Sequence, residues 1–163
     1  MHGHGSQASV RVLIVTCSDT RSLETDESGL LAESLLREAG HVVAGRVVVR
    51  DEPDQLRAVL AEKLRDEGVE AIFVNGGTGI SRRDRTFDAL EPMLQKRIDG
   101  FGELFRMLSY AEVGAASMLS RATAGLIDGR VVFSVPGSRN AVRLALEKLV
   151  LPVIGHAVKE ARR

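Results

Sequence analysis

The chain has 163 residues, enough for one domain with a sizeable core. It carries 22 Lys and Arg against 22 Asp and Glu. With no net charge there is no overall field toward nucleic acid or a membrane surface, so any phosphate binding must come from local clusters. One cysteine, Cys17, excludes an intrachain disulfide or a cysteine zinc site and points to a reducing, cytoplasmic compartment, and no apolar run is long enough to span a bilayer.

Residues 1–9, MHGHGSQAS, have no apolar signal core and read as a mobile tail, with His2 and His4 lacking partners. Residues 10–16 are a near-continuous apolar run, the pattern of a parallel strand covered on both faces. Cys17 then packs as a small apolar residue. Ser18, Asp19, Thr20 and Arg21 follow as a strand-end loop that can hold a ligand or simply cap its own turn. Thr25 or Asp26 caps a helix to about residue 39, with Leu30, Leu31, Leu35 and Leu36 on one stripe and Gly40 past its end. Residues 41–50 form a second strand interrupted by Gly45. Asp51, Glu52, Pro53 and Asp54 open a helix that turns Leu56, Val59, Leu60 and Leu64 inward and stops at Gly68.

Residues 69–74 are a third buried strand. Gly76, Gly77 and Gly79 follow at once, then Arg82, Arg83, Asp84 and Arg85, with Thr86 as N-cap of the next helix. A glycine turn with free N–H groups and arginines at a strand's carboxyl end suits phosphate. Strand and helix alternate, and each crossover is long enough only for parallel pairing. This predicts an α/β fold: a three-layer, doubly wound, mostly parallel sheet with helices on both faces and ligands beyond the strands' carboxyl ends.

Residues 87–94 read as a short helix broken by Pro92. Within 100–111, Phe101, Leu104, Phe105 and Leu108 recur at helical spacing, a core or subunit-contact stripe, and 115–119 make another short turn of helix. Residues 122–127 and 130–135 are strands joined by a hairpin turn at Asp128 and Gly129. Pro136, Gly137 and Ser138 form a third strand-end loop. Ser138 or Asn140 caps a helix burying Val142, Leu144, Ala145, Leu146 and Leu149, and Pro152 separates it from a final helix. With no repeat or linker, residues 10–163 make a single domain.

The three loops and Asp51 fall where a doubly wound sheet gathers its ligands. The loop is neither GxxxxGK[ST] nor GxGxxG. His41 and His156 have no evident partner and read as partly exposed structural residues. Asp84 is either a surface partner of Arg83 or Arg85, or a magnesium ligand beside phosphates. Asp51, just outside the helix that Glu52 would cap, serves helix-end electrostatics or supplies a second carboxylate.

SDTR (18–21), NGGTGISRRD with Thr86 (75–86), GFGELFRMLSY (100–110), LSRATAG (119–125) and PGSRNAV (136–142) together resemble the MoaB/Mog family of molybdenum cofactor biosynthesis proteins, the molybdopterin adenylyltransferases. The same fold occurs in gephyrin and the plant molybdenum insertases, and the wording is closest to the MoaB branch. The resemblance implies that molybdopterin and MgATP yield adenylylated molybdopterin and pyrophosphate. It implies Asp51 and Asp84 as catalytic residues and Mg²⁺ ligands. Ser18, Asp19, Gly76, Gly77, Thr78, Gly79, Arg82, Arg83, Pro136, Gly137 and Ser138 would bind ATP and molybdopterin. It further implies a homotrimer or homohexamer and delivery to a downstream molybdenum insertase. The family's usual proline after Thr86 is Phe87 here, expected to alter the helix start and not the chemistry. Two other readings are a molybdopterin-binding handover protein without catalysis and an unrelated nucleotide-binding protein of the same architecture.

Overall fold

The computed structural model describes residues 8–163. The expected tail falls, through residue 7 and including His2 and His4, outside the described residues. Among them, six strands form one sheet: β1 (Arg11–Cys17), β2 (Val42–Val49), β3 (Ala71–Asn75), β4 (Lys96–Arg97), β5 (Thr123–Ile127) and β6 (Arg130–Val135). Their order is β2-β1-β3-β6-β5-β4. The pairs β1–β2, β1–β3 and β3–β6 are parallel, while the pairs β6–β5 and β5–β4 are antiparallel, so β5 alone runs against the others. The doubly wound, mostly parallel α/β expectation holds. The edge pair Lys96–Arg97 was not legible, because two exposed cations carry no strand periodicity.

The strands' apolar alternation fills two separate cores. Val12, Ile14, Phe73 and Phe133 face α1 (Glu27–Glu38), α4 (Asp99–Val113), α5 (Arg139–Ala145) and α6 (Leu151–Ala161). Leu13, Val15, Ile72 and Val74 face α2 (Pro53–Lys63) and α3 (Thr86–Leu90). Burial of each such side chain contributes about 1.5–3 kcal/mol, which fixes the register: a one-residue slip would exchange the two faces.

Several local expectations are corrected. Gly45 does not interrupt β2. The strand runs through, and its register against β1 slips between Val12 and Leu13, leaving Ala44 as the extra residue of a bulge. In α1, Leu30 is exposed, and the sheet-facing residues are Ser28, Gly29, Ala32 and Leu36. The cause is Asp26, fully buried at the N-cap and accepting from the Gly29 N–H at 2.9 Å; a Cβ on Gly29 would collide with it. Thr86 is not an N-cap. It is the first residue of α3, and its N–H donates to Gly77 O at 3.0 Å. Pro152 does not break the C-terminal helix. A π-helical segment, Leu146–Val150, joins α5 to α6, and the proline enters in the first turn of α6, where no i−4 bond is needed from it. His41 is buried, and its Nδ1 accepts from the Val10 N–H at 3.1 Å. Along α4, Phe101 and Phe105 are core, but Leu104 is exposed.

Candidate functional site

The topology gathers the loops. β2, β1, β3 and β6 are adjacent and parallel, so Asp51, Ser18, Gly76 and Pro136 all leave the sheet at one edge. Glycines let the loops touch. Gly76 has φ +99°, and a Cβ on it would collide with the Cys17 carbonyl. A Cβ on Gly137 would stand 3.1 Å from Gly76 Cα. Gly77, at φ +68°, leaves room for Asp51 Oδ1 and Thr86 Oγ1.

Asp51 and Asp84 both lie against this glycine turn. Asp51 Oδ1 would be 3.0 Å from a Cβ on Gly77, and Asp84 Oδ2 2.6 Å from a Cβ on Gly79. Burial raises the Asp51 carboxyl above its ordinary range, and the nearby Asp19 and then Asp84 charges push the same way. Asp51 Oδ1 and Thr86 Oγ1 are buried with no hydrogen-bond partner. The Thr86 hydroxyl lies near the Cys17 thiol without making a hydrogen bond of ordinary geometry. Burial pushes that thiol up to about 12, so Cys17 is no nucleophile.

Asp84 pairs with neither Arg83 nor Arg85. Its Oδ2 accepts from Ser81 N (3.0 Å) and Ser81 Oγ (2.6 Å). Arg83 instead spans to Asp19 Oδ2 (2.9 Å), Asp19 Oδ1 (3.0 Å) and Glu52 Oε1 (2.8 Å), tying three loops together. That bridge, and next the Asp51 N–H, hold the Asp19 carboxyl below its ordinary range. Arg82 is exposed and makes no ion pair among the described residues. Ser18 Oγ accepts from the N–H groups of Thr20 and Arg21, and Ser138 Oγ caps α5 through Ala141 N–H at 3.1 Å. Thr78 is buried, its carbonyl accepting from Arg121 N–H at 2.7 Å.

Two hollows flank the glycine turn. An open cleft of about 610 Å³ is bordered by Ser18, Asp19, Arg21, Arg46 and Arg50. A groove of about 290 Å³ runs between α4 and the third loop, past Ser109, Ser117, Ser138 and Asn140. Both fall near the range of small-molecule pockets. Beneath them lies a buried polar chain that sequence reasoning missed. Asp26 accepts from Thr16 Oγ1 (2.6 Å) and Arg46 Nη1 (3.1 Å), and Thr16 accepts from Asn75 Nδ2 (3.0 Å). Ser28 Oγ, two residues on from Asp26, donates to Gly137 O at 2.6 Å. Only the N-cap signal at Asp26 was visible beforehand.

A family model described as "Probable molybdopterin binding domain" matches residues 13–156. The chain belongs to the MoaB/Mog family. It is 50% identical to Molybdenum cofactor biosynthesis protein B of Bacillus subtilis over 155 residues, covering 94% of this chain and 91% of the relative. A crystal structure of a Molybdenum cofactor biosynthesis protein B superposes with TM-score 0.91 at 50% identity, covering 95% and 97% of the two chains. The tungsten cofactor synthesizing protein MoaB from Pyrococcus furiosus follows with TM-score 0.86 at 36% identity, covering 96% and 99%.

The MoaB/Mog resemblance implies a divalent cation, and the residues fit one. No cluster of three His, Cys, Asp or Glu side chains gathers among the described residues. Magnesium needs none, since one or two carboxylates and substrate oxygens suffice. The orphaned Asp51 Oδ1 is a costly group unless a cation or donor meets it. An all-oxygen donor set suits Mg²⁺ over metals that seek thiolate or imidazole.

Proposed function

We propose that this MoaB/Mog chain is a cytoplasmic enzyme of molybdenum cofactor biosynthesis that transfers AMP from ATP to the terminal phosphate of molybdopterin. A molybdopterin phosphate oxygen forms a bond to the ATP α-phosphorus, and the bond from that phosphorus to the bridging β-phosphate oxygen breaks. The electron pair leaves with pyrophosphate. The attacking oxygen is already anionic, so no protein nucleophile or base is required. The observation that carries the reading is the convergence of Asp51 and Asp84 on one glycine turn, with Asp51 Oδ1 buried and unpaired. The names of the 50% identical relatives support the pathway.

Asp51 and Asp84 would hold Mg²⁺, which would supply positive charge to offset the negative charge developing on the departing pyrophosphate. The N–H groups of Gly77, Thr78 and Gly79 would cradle phosphate, with the unpaired Arg82 beside them, while the Gly76 N–H is held by Val135 O at 2.9 Å. Arg83 would brace the wall with Asp19 and Glu52. Ser18, Asp19 and the loop of Pro136, Gly137 and Ser138 would line the two substrates. Positioning and charge neutralisation supply the catalysis. The chain would act as a homotrimer or homohexamer, for which the exposed apolar residues of α4 offer a contact face, and pass its product to a molybdenum insertase.

The test is turnover of the purified chain with molybdopterin, ATP and Mg²⁺. Pyrophosphate released in step with adenylyl-molybdopterin is the expected result. Molybdopterin binding without pyrophosphate release would overturn catalysis in favour of handover.

A further inference from the structure

β5 runs antiparallel to β6, so the residues just before it arrive at the same edge as the carboxyl ends of the parallel strands. Arg121 is there. Its Nε donates to Gly79 O at 3.0 Å and its Nη2 to Asp84 O at 2.6 Å. Nη1 and Nη2 also grip the Asp88 carboxylate at 2.9 and 3.1 Å. Its own N–H donates to Thr78 O at 2.7 Å. The guanidinium carbon lies 5.2 Å from the centre of the Phe87 ring. One planar group thus holds the carbonyls at both ends of the 79–84 loop. Asp84 Oδ2 is spent on Ser81 within that loop, while its Oδ1 makes no hydrogen bond among the described residues.

We propose that Arg121, braced on Phe87, is a positioning residue that fixes the 79–84 loop so that Asp84 presents its free carboxylate oxygen to the nucleotide's cation. The inference rests on the reading of Asp84 as a metal ligand. The fork geometry is what matters. A lysine ammonium can replace the charge but cannot meet two carbonyls and a carboxylate in one plane. Phe87 offers the guanidinium an aromatic face, so the residue at position 87 bears on the site.

The test is Mn²⁺ binding to the full chain in the presence of α,β-methylene ATP, followed by the resonance of free Mn²⁺. Arg121→Lys and Arg121→Met should each weaken Mn²⁺ about tenfold, as the loss of an outer partner of a metal ligand does. Phe87→Leu should weaken it about two- to fivefold. In turnover, Arg121→Lys should raise the Mg²⁺ concentration needed for half-maximal rate while leaving the KM for molybdopterin unchanged. A merely structural role would lower the folded fraction and leave the Mn²⁺ affinity of the folded protein alone. If Arg121→Met does not fold, Arg121→Lys, which keeps the charge and the apolar stem, decides. Wild-type Mn²⁺ affinity in Arg121→Lys, with affinity lost in Asp84→Asn, would overturn this inference alone. Wild-type affinity in Asp84→Asn would overturn the metal reading and this inference with it.

Discussion

Asp51 and Gly77 share a space that closes if either changes shape. A Cβ at Gly77 would stand 3.0 Å from Asp51 Oδ1 and collide with Thr86 Oγ1, at a φ of +68° that other residues adopt only with strain. Gly77→Ala must therefore displace the carboxylate, the hydroxyl or the turn itself. We expect a stability loss of about 1–3 kcal/mol from strain and loss of Mg²⁺-dependent ATP binding. Calorimetric titration beside a thermal melt measures both. Tight binding in the variant would show that the turn has no part in holding the nucleotide.

Asp51 sets function against stability. Its folded-state carboxyl lies above the usual range because burial and the Asp19 and Asp84 charges disfavour the anion. For an acid shifted upward, the fold is favoured below the unfolded pKa, and that advantage is lost as pH rises through the folded one. At neutral pH the charged Asp51 is thus a liability, and Asp51→Asn should remove it. A gain on the order of 1 kcal/mol would raise Tm by about 2–4 °C in a chain this size. The same variant should lose Mn²⁺ binding, and in the wild type that binding should fade as pH drops through the raised pKa. A destabilised Asp51→Asn protein would contradict the electrostatic account.

Much of this site was legible because strand-end loops follow from a strand–helix alternation alone. The apolar runs at 10–16 and 69–74 dictated parallel strands, and their shared direction dictates where Ser18 and Gly76 emerge. What escaped depends on partners remote in sequence. Arg121 reaches the Asp84 carbonyl only because β5 reverses direction; the hairpin signal at Asp128 and Gly129 gives that reversal, but nothing near position 121 says which loop its side chain then meets. Asp26 looked like any N-cap, but Thr16 and Arg46 make it a buried charge. Pro152 looked like a helix breaker, and the π segment before it removes the conflict.

His41 gives a pH dependence unconnected with the site. Burial lowers its pKa below 6.5, and its Nδ1 must be unprotonated to accept the Val10 N–H. The unfolded chain then binds the extra proton more readily. The stabilisation is fully present above pH about 6.5 and is lost as pH falls from there through the folded pKa. Melts between pH 5 and 8 should show Tm falling on the acid side, with a shallower slope in His41→Asn. An equal slope in that variant would assign the effect to other groups.

Asp26 should dominate the stability of the first helix. It is fully buried and satisfied by Thr16, Gly29 and Arg46, whose side chain is itself only 14% exposed. Asp26→Ala strips the partner from a mostly buried guanidinium, a change that costs about 3–5 kcal/mol. Asp26→Asn keeps the size and the cap acceptor and should cost less. Urea unfolding reads both, and a loss below 1 kcal/mol in Asp26→Ala would mean that Glu33, 3.3 Å from Arg46, suffices alone.

The apolar face of α4 and the 3₁₀ turn after it predicts assembly. Met107 is 62% exposed, Met118 72%, and Leu104, Tyr110, Val113 and Leu119 are exposed with them. Clustered exposed apolar side chains mark contact surfaces, whereas scattered single ones do not. Each such methionine, once covered, contributes about 1.5–3 kcal/mol. Met107→Glu combined with Met118→Glu would put two charges into that contact. Sedimentation velocity should find the wild type as a trimer or hexamer and the double variant as a folded monomer. A wild type that stays monomeric at micromolar concentration would leave this face without a second copy to cover it.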